Sequence, residues 1–191
     1  MSVIASLLFS KAMTGLVLFW ILTKLFKVFI TKCKDAKLHQ HHMEKAKQRR
    51  MKRDTSVRSF LDSHDFPSQE RRDAILGLKD LTAIRKALDD KTVSSEELTL
   101  TYIYQSATTG LELEAIADIN YEWALQEAKE CDRELANGHS RGILHGIPIS
   151  VKDTVILKGT VSTNGLASKC DAMFHEDGMI SKLLKLNGAI P

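Results

Sequence analysis

The sequence predicts an α/β protein in which an N-terminal transmembrane helix precedes a mixed sheet covered by helices. Two observations support this prediction. One is an apolar run of nineteen residues at positions 12–30, and the other is the order helix, strand, helix, strand, loop, helix, strand along residues 95–191. We therefore divide the chain into a membrane anchor at residues 1–31, a basic linker at 32–60 and a domain at 61–191.

The apolar run is long enough to cross a membrane. At about 1.5 Å per residue, AMTGLVLFWILTKLFKVFI roughly matches the thickness of a hydrocarbon core. Lys24 and Lys27 lie near its basic end, where their ammonium groups can reach lipid headgroups. Residues 24–58 contain twelve Lys or Arg and three acidic residues, which predicts that the body after a single-pass anchor faces the cytosol. We expect an endomembrane such as the endoplasmic reticulum. An interfacial amphipathic helix ranks second and a cleaved signal peptide third.

The basic stretch at residues 32–53 has a helix-forming composition without an apolar stripe. It predicts a solvated helix or linker that touches anionic lipid. We expect no nucleic-acid partner, because aromatic residues are missing from the basic run. His39, His41 and His42 have no carboxylate or cysteine partner in the pattern, so no metal site is predicted. The three cysteines are far apart, which indicates reduced thiols and no disulfide framework.

Helices are predicted on both sides of residue 90. Apolar positions between residues 75 and 88 indicate two short helices, with Asp80 as the cap of the second. Ser94 and Glu97 have the spacing of a capping box, in which each side chain hydrogen-bonds to the other residue's backbone N–H. This spacing predicts a helix over residues 95–107.

The second half of the domain alternates strands with helices. Residues 115–120 are predicted as a strand, and residues 121–136 as a helix that ends at Gly138. A further helix begins at residue 178 and stops at Gly188, and the last three residues begin another strand.

Residues 142–153 read GILHGIPISVKD and are the most informative stretch of the chain. The alternation of Ile147, Ile149 and Val151 predicts a strand, so Lys152 falls at or near the strand's C-terminal end, where α/β sheets usually carry their chemistry. Partial burial there would disfavour the charged form of the lysine and allow it to act as a base.

This stretch resembles the amidase-signature family, whose members show the pattern G-x-L-x-G-[IV]-P-[IV]-x-[VLI]-K-[DE] at a catalytic lysine. The similarity continues through a loop of small residues and then through DGMISKLLKLNGAIP at residues 177–191. The loop positions are Gly159, Ser162, Thr163, Gly165 and Ser168. The resemblance covers about half of the chain, and it implies that residues 61–191 are the N-terminal part of the family's mixed sheet with covering helices.

The resemblance also implies the reaction. Family members hydrolyse amide bonds with a Ser-Ser-Lys triad and need no metal or cofactor, and Lys152 matches the lysine. That lysine draws a proton through a middle serine on a cis peptide, and the other serine attacks the amide carbonyl. Both serines are expected in a Gly/Ser-rich stretch after Pro191, so we expect this chain to be a fragment or truncated product, inactive by itself.

An anchor followed by a basic linker is similar to the membrane-bound, fatty-acid amide hydrolase branch of the family. The similarity implies a lipid bilayer as partner and lipid amides as substrates, and it is compatible with a homo-oligomer. Two other interpretations stay open. The chain is a truncated, non-catalytic membrane-tethered module for interaction or regulation, or it is an anchored α/β protein whose Lys152 is structural or binds an anion. A missing Gly-rich phosphate loop weakens the last one.

Overall fold

A computed structural model describes the backbone from residue 2 and the side chains of residues 13–191. Its regular structure in that range is helical, and the chain divides into two units, residues 1–44 and 45–191. The α-helices are α1 (Ser2–Ser63), α2 (Gln69–Leu76), α3 (Leu81–Asp89), α4 (Ser95–Gln105), α5 (Tyr121–Ala136) and α6 (Met179–Leu186). A π-helix at Ser106–Gly110 extends α4, and a 3₁₀ turn at Ala167–Lys169 lies in the last long loop.

The first unit is the N-terminal part of α1. Its apolar side chains from Met13 to Ile30 are exposed, among them Phe19 at 67% and Trp20 at 61%. The helix is long and apolar enough to cross a membrane. This confirms the apolar helix predicted at residues 12–30, while the side chains of residues 1–12 of the predicted anchor lie outside the described range.

The second unit is built around α4, which packs against α5 and α2. Its N-terminus carries the predicted capping box. The Ser94 Oγ accepts a hydrogen bond from the Glu97 N–H (N···O 3.0 Å), and the Glu97 carboxylate accepts one from the Ser94 N–H (N···O 3.2 Å). The helix predicted over residues 95–107 is therefore confirmed, with a π-helical continuation that the pattern did not indicate.

Three clusters of buried apolar side chains form the core of residues 45–191. The first joins α2, α3 and α4 to the motif, the second joins the end of α1 to α4 and α5, and the third joins α5 to the chain's last residues. In that order their members are Ile75, Ile84, Ala87, Leu88, Val93, Leu98 and Ile147; Phe60, Leu100, Ile103 and Leu125; and Ala128, Cys131 and Ile190. The motif is therefore held by the helical core on which it lies.

Most of the predicted helix boundaries are confirmed. The Asp80 carboxylate accepts from the Ala83 N–H (N···O 2.7 Å) and caps α3. Helix α5 covers the predicted residues and is followed by Gly138, whose positive φ of 77° lets the chain leave the helix. The boundaries predicted at residues 31 and 60 stay predictions.

Residues 13–191 contain no strand, although the sequence predicts a mixed sheet. The motif and the last residues approach each other in parallel at one bridge, Pro148–Ile190. Neither segment forms a bridge with a further segment among residues 13–191, so the single bridge is not extended into a sheet. Three backbone hydrogen bonds, each with N···O 2.9 Å, join Gly146 N to Gly188 O, Ile190 N to Ile147 O, and Ile149 N to Ile190 O. The sheet itself stays a prediction.

Residues 115–120 form an irregular loop, so the strand predicted there is wrong. Residues that are distant in the sequence hold this loop through its Asp118 side chain. The Asp118 carboxylate accepts from the Arg49 side chain (Nη2···Oδ2 2.5 Å) and from the Val161 N–H (N···Oδ2 2.9 Å). Short-range alternation cannot indicate such partners.

Candidate active site

The motif leaves the helical core through a tight turn at Gly146. This glycine has φ +75°, and a Cβ added to it would lie 2.9 Å from the Ser95 Oγ. The Ser95 hydroxyl donates to the Gly146 carbonyl (Oγ···O 2.7 Å) at the first turn of α4. A side chain at position 146 would break this contact, which explains the glycine and sets the direction of the following residues toward Lys152.

His145 is a buried anchor that the sequence analysis did not single out. Its ring accepts from the Arg141 N–H (N···Nδ1 3.3 Å) and donates to the Cys131 carbonyl (Nε2···O 3.0 Å), which is the neutral Nε2–H tautomer. Its own carbonyl accepts from Arg85 (Nη1···O 2.6 Å). His145 thus ties the motif to α3 and α5.

Cys131, Glu134 and His145 place three potential metal-ligand atoms within 4.8 Å of one another. The proton on the Cys131 thiol and the contact of Glu134 with Arg141 oppose metal binding. Burial raises the pKa of the Cys131 thiol to about 11, and a thiol must lose its proton to bind a metal. The Arg141 guanidinium donates to both Glu134 oxygens (Nε···Oε2 2.7 Å, Nη2···Oε1 2.9 Å), and this bond lowers the pKa of Glu134. The cluster is a structural ion pair beside a neutral histidine.

Lys152 lies in an irregular segment after the Pro148–Ile190 bridge, and its side chain is exposed. Its neighbours Val151 and Asp153 are half-buried, so the alternation predicted for a strand persists without a strand. The partial burial expected for Lys152 is not present, because nothing in residues 13–191 covers the side chain. Its catalytic role stays a prediction.

Asp153 organises the loop that follows Lys152. Its carboxylate accepts from the Thr163 N–H (N···Oδ1 2.9 Å), the Thr163 hydroxyl (Oγ1···Oδ2 2.7 Å) and the Gly165 N–H (N···Oδ2 3.3 Å). The Ser162 hydroxyl donates to the Asp153 carbonyl. Burial raises the pKa of Asp153, but these donors outweigh it and the pKa is lowered. The loop residues that the family resemblance indicated, Ser162, Thr163 and Gly165, therefore meet beside Lys152.

Asp177 connects the same loop to α6. Its carboxylate accepts from the Lys158 N–H (N···Oδ1 2.8 Å) and pairs with Lys185 (Nζ···Oδ2 2.8 Å). Burial raises the pKa of Asp177, but these two partners lower it below the ordinary value. The Ser181 hydroxyl adds a bond to the Ile156 carbonyl (Oγ···O 2.6 Å). The small-residue loop is thus held at both ends.

A cleft of about 340 Å³ lies elsewhere in the second unit, between α1 and residues 107–114. Lys152 is not among its lining residues, so the cleft does not serve the chemistry predicted for the motif. Its walls combine apolar and charged side chains: Val57, Leu61, Ala107 and Leu111, with Arg50, Arg53, Asp54, Arg58, Glu112 and Glu114.

Comparison with known families identifies the segment that contains this geometry. The family described as Amidase matches residues 97–191, which include most of α4, then α5, the motif with Lys152, the Asp153 loop and α6. Residues 97–191 belong to the amidase family. The family predicted from GILHGIPISVKD is thereby confirmed.

A curated relative extends the amidase similarity beyond this segment. Amidase 1 of Gibberella moniliformis is 32% identical over 127 residues, which is 66% of this chain and 24% of the relative. The chain therefore spans about a quarter of the length of this relative.

Solved amidase structures resemble the described fold. A fatty acid amide hydrolase superposes with a TM-score of 0.66 at 19% identity over 78% of this chain and 30% of that one, which shows the fold alone. The peptide amidase from Stenotrophomonas maltophilia gives a TM-score of 0.54 at 29% identity, covering 59% of this chain and 23% of that one. The helical arrangement around the motif is therefore amidase-like.

Proposed function

We propose that this chain supplies the lysine-bearing part of an amide hydrolase in which Lys152 is the base and acid. The observation that carries the proposal is the arrangement at the motif. In the amidase-family segment the Lys152 side chain is exposed and has no ion pair among the described residues, while the adjacent Asp153 is hydrogen-bonded within the loop. An amine that no carboxylate holds is available for proton transfer.

The proposed reaction is a Ser-Ser-Lys acyl transfer. Neutral Lys152 takes a proton through a middle serine as the nucleophilic serine attacks the amide carbonyl, and the same path returns the proton to the leaving amine. Water then hydrolyses the acyl-enzyme ester. We propose that both serines lie downstream of residue 191 in the complete protein. Sequencing the transcript across the codon of Pro191 tests this directly, because the proposal requires two serines flanked by glycines downstream.

We propose lipid amides, such as fatty-acid amides, as the substrates. The support is the exposed apolar helix at residues 13–30, because an apolar amide concentrates in a bilayer and an anchored hydrolase samples that pool. The names of the two solved relatives, a fatty acid amide hydrolase and a peptide amidase, indicate different substrates. Parallel assays with a long-chain fatty-acid amide and a short peptide amide therefore discriminate, and faster turnover of the peptide amide would contradict the lipid assignment.

The proposed location is an endomembrane such as the endoplasmic reticulum, with a single pass and the body in the cytosol. The basic excess after residue 24 supports this orientation. In microsomes, protease added outside should digest a tag placed at the C-terminus. A protected tag would place the body in the lumen and overturn the orientation.

Replacing Lys152 by alanine tests the catalytic proposal. In protein expressed from the complete reading frame, Lys152→Ala should lower amide hydrolysis by about 10²–10⁴-fold, since it removes the proton-transfer group. The free energy of unfolding should change by less than about 0.5 kcal/mol, because the side chain is exposed. Lys158→Ala, at another exposed lysine of the same loop, is the matched control. Equal turnover by the two variants would remove Lys152 from the mechanism.

A second candidate function is a non-catalytic membrane-tethered interaction module. The observation that favours it is an exposed apolar face on α6, formed by Met179 (79%), Ile180 (58%), Leu183 (54%) and Leu186 (73%). We suggest a longer amidase polypeptide as its partner. Co-purification of the 191-residue chain with that polypeptide should depend on Leu183, and binding that survives Leu183→Glu would contradict this use of the face.

A further inference from the structure

We infer that Arg49 and Asp118 are positioning residues for Lys152. The functional meaning of this inference rests on the proposed amidase chemistry, whereas the coupling itself rests on contacts within residues 45–191. Those contacts form a continuous path from the last third of α1, through the loop at residue 118, to the loop that holds Asp153.

The path begins with an ion pair between α1 and the irregular loop. The Arg49 Nη2 lies 2.5 Å from the Asp118 Oδ2, and the two side chains are 25% and 21% exposed. A largely desolvated pair of this kind is screened less by water than a surface pair, and removing one partner leaves the other charge poorly solvated.

The same Asp118 oxygen continues the path into the Lys152 region. Oδ2 also accepts a hydrogen bond from the Val161 N–H (N···O 2.9 Å), and Val161 is 3% exposed. One carboxylate therefore joins the helix to the backbone of the small-residue loop. Arg49 fixes the carboxylate, and the carboxylate fixes Val161.

The residues directly after Val161 hold Asp153. The Ser162 hydroxyl donates to the Asp153 carbonyl, and Thr163 donates to the Asp153 carboxylate through both its N–H and its hydroxyl. Lys152 precedes Asp153 by one residue. A shift of the loop at Val161 is thus transmitted through two adjacent residues to the backbone that carries the lysine.

The neighbouring Arg50–Glu114 ion pair of the same helix does not share this arrangement. The Arg50–Glu114 pair has a longer separation (Nη1···Oε1 3.6 Å), and its side chains are 62% and 76% exposed. Exposed pairs contribute little to stability. Arg50 is therefore a matched control for Arg49: it has the same residue type, the next position on the helix and an acidic partner.

Hydrogen exchange on the 191-residue chain tests the coupling without requiring amidase activity. With Arg49→Ala we expect exchange of the amides in residues 153–165 to rise about tenfold, because a charge-assisted contact that fixes the loop is lost. Exchange in α5 should stay unchanged, which separates the local effect from a general loss of stability. Arg50→Ala should leave the exchange of both segments as in the unaltered chain, and Arg49→Lys should restore most of the protection.

A charge-reversal pair separates the ion pair from the path. Arg49→Asp combined with Asp118→Arg keeps opposite charges at the two positions, but residue 118 then offers no carboxylate to the Val161 N–H. We expect protection of residues 153–165 to stay low in this double variant. Full recovery of protection would show that only the ion pair matters, and it would overturn the path through Val161.

The readout for Lys152 itself is its rate of acylation by N-acetoxysuccinimide, measured by mass spectrometry against Lys129, an exposed lysine of α5 in the same molecule. Arg49→Ala should raise the Lys152/Lys129 ratio by at least about twofold, and Arg49→Lys should return it toward the original value. An unchanged ratio, or equal effects of Arg49→Ala and Arg50→Ala, would overturn the inference. The two proposals can fail separately. If the variants change exchange and acylation as expected but protein from the complete reading frame hydrolyses no amide, the proposed function is refuted and the coupling still holds.

Discussion

Gly188 lies where α6 ends and the backbone passes against His145. Its φ is +83°, and a Cβ added to it would lie 2.6 Å from the His145 Cα. Gly188→Ala should therefore lower the free energy of unfolding by about 2–4 kcal/mol, since a left-handed residue and a clash with backbone act together. Urea denaturation measures the change.

Gly138 is the control for this substitution. It has a similar φ of +77°, but nothing lies within 4 Å of the Cβ position. Gly138→Ala should cost only the left-handed conformation, about 1 kcal/mol. Equal costs at both sites would show that the close approach to His145 does not contribute.

The Arg141–Glu134 pair predicts the direction of a pH effect. The hydrogen bond from Arg141 lowers the pKa of Glu134 below its ordinary value of 4.5, so the folded chain holds this proton less tightly than the unfolded chain does. The pair's contribution to stability is complete above that value and is lost as pH falls through the lower folded pKa. Between about pH 5 and pH 3, Glu134→Gln should reduce the slope of unfolding free energy against pH.

Glu176→Gln is the control, because it removes an exposed carboxylate at another position. The Glu134 substitution should reduce the slope more than this control does. Parallel curves for the Glu134 variant and the unaltered chain would contradict the role given to Arg141.

At the scale of the element, the basic part of α1 makes contacts that the sequence does not predict. The sequence predicts a solvated helix touching anionic lipid, but from residue 45 onward several of its cations have protein partners. Arg49 pairs with Asp118, Lys45 pairs with Asp171 (Nζ···Oδ2 2.5 Å), and Arg53 donates to the Ile116 carbonyl. Charge composition cannot distinguish a lipid-facing helix from one that docks on its own domain.

Helix α4 has a second cap that comes from α5. The Asp132 carboxylate accepts from the Ser95 N–H (N···Oδ1 2.7 Å) and the Glu96 N–H (N···Oδ2 2.9 Å). Asp132→Ala should lower the free energy of unfolding by about 2 kcal/mol, because two helix-terminal donors lose a charged acceptor. Asp132→Asn keeps one amide oxygen as acceptor and should cost less. Thermal unfolding of the two variants checks this order, and a smaller loss for alanine than for asparagine would contradict the cap.

At the scale of the whole molecule, the apolar segment predicts how the chain partitions. Deleting residues 1–30 should move the protein from the membrane to the soluble fraction, because it removes the exposed apolar side chains of the first unit. Carbonate extraction separates the two membrane states: a spanning helix stays in the pellet, whereas an interfacial helix is released. Unchanged membrane binding of the deleted chain would show that another surface carries attachment.

A same-length variant controls for the deletion. Leu18→Asp with Leu22→Asp places two carboxylates within the apolar segment, each costing about 2.5–3.5 kcal/mol if the helix spans the bilayer. This variant should also leave the pellet. Retention of the double variant would contradict a transmembrane position.

Local chemistry in the sequence was enough to predict the apolar helix, the capping box at Ser94 and Glu97, the cap at Asp80, the glycine stop at Gly138 and the amidase family. Each of these features depends on one contiguous segment: the apolar run, a few residues within one or two helical turns, or one short motif. The local sequence therefore determines these features without contacts between distant segments.

The tertiary structure decided the remaining features. The cap from Asp132 joins residues 37 apart, the Asp118–Val161 contact joins residues 43 apart, and the Arg49–Asp118 pair joins residues 69 apart. The exposure of Lys152 and the loop at residues 115–120 likewise depend on which segments meet. Side-chain alternation reports only which residues face the same way along one segment, so the partner that satisfies each polar group becomes known only when the segments are packed together.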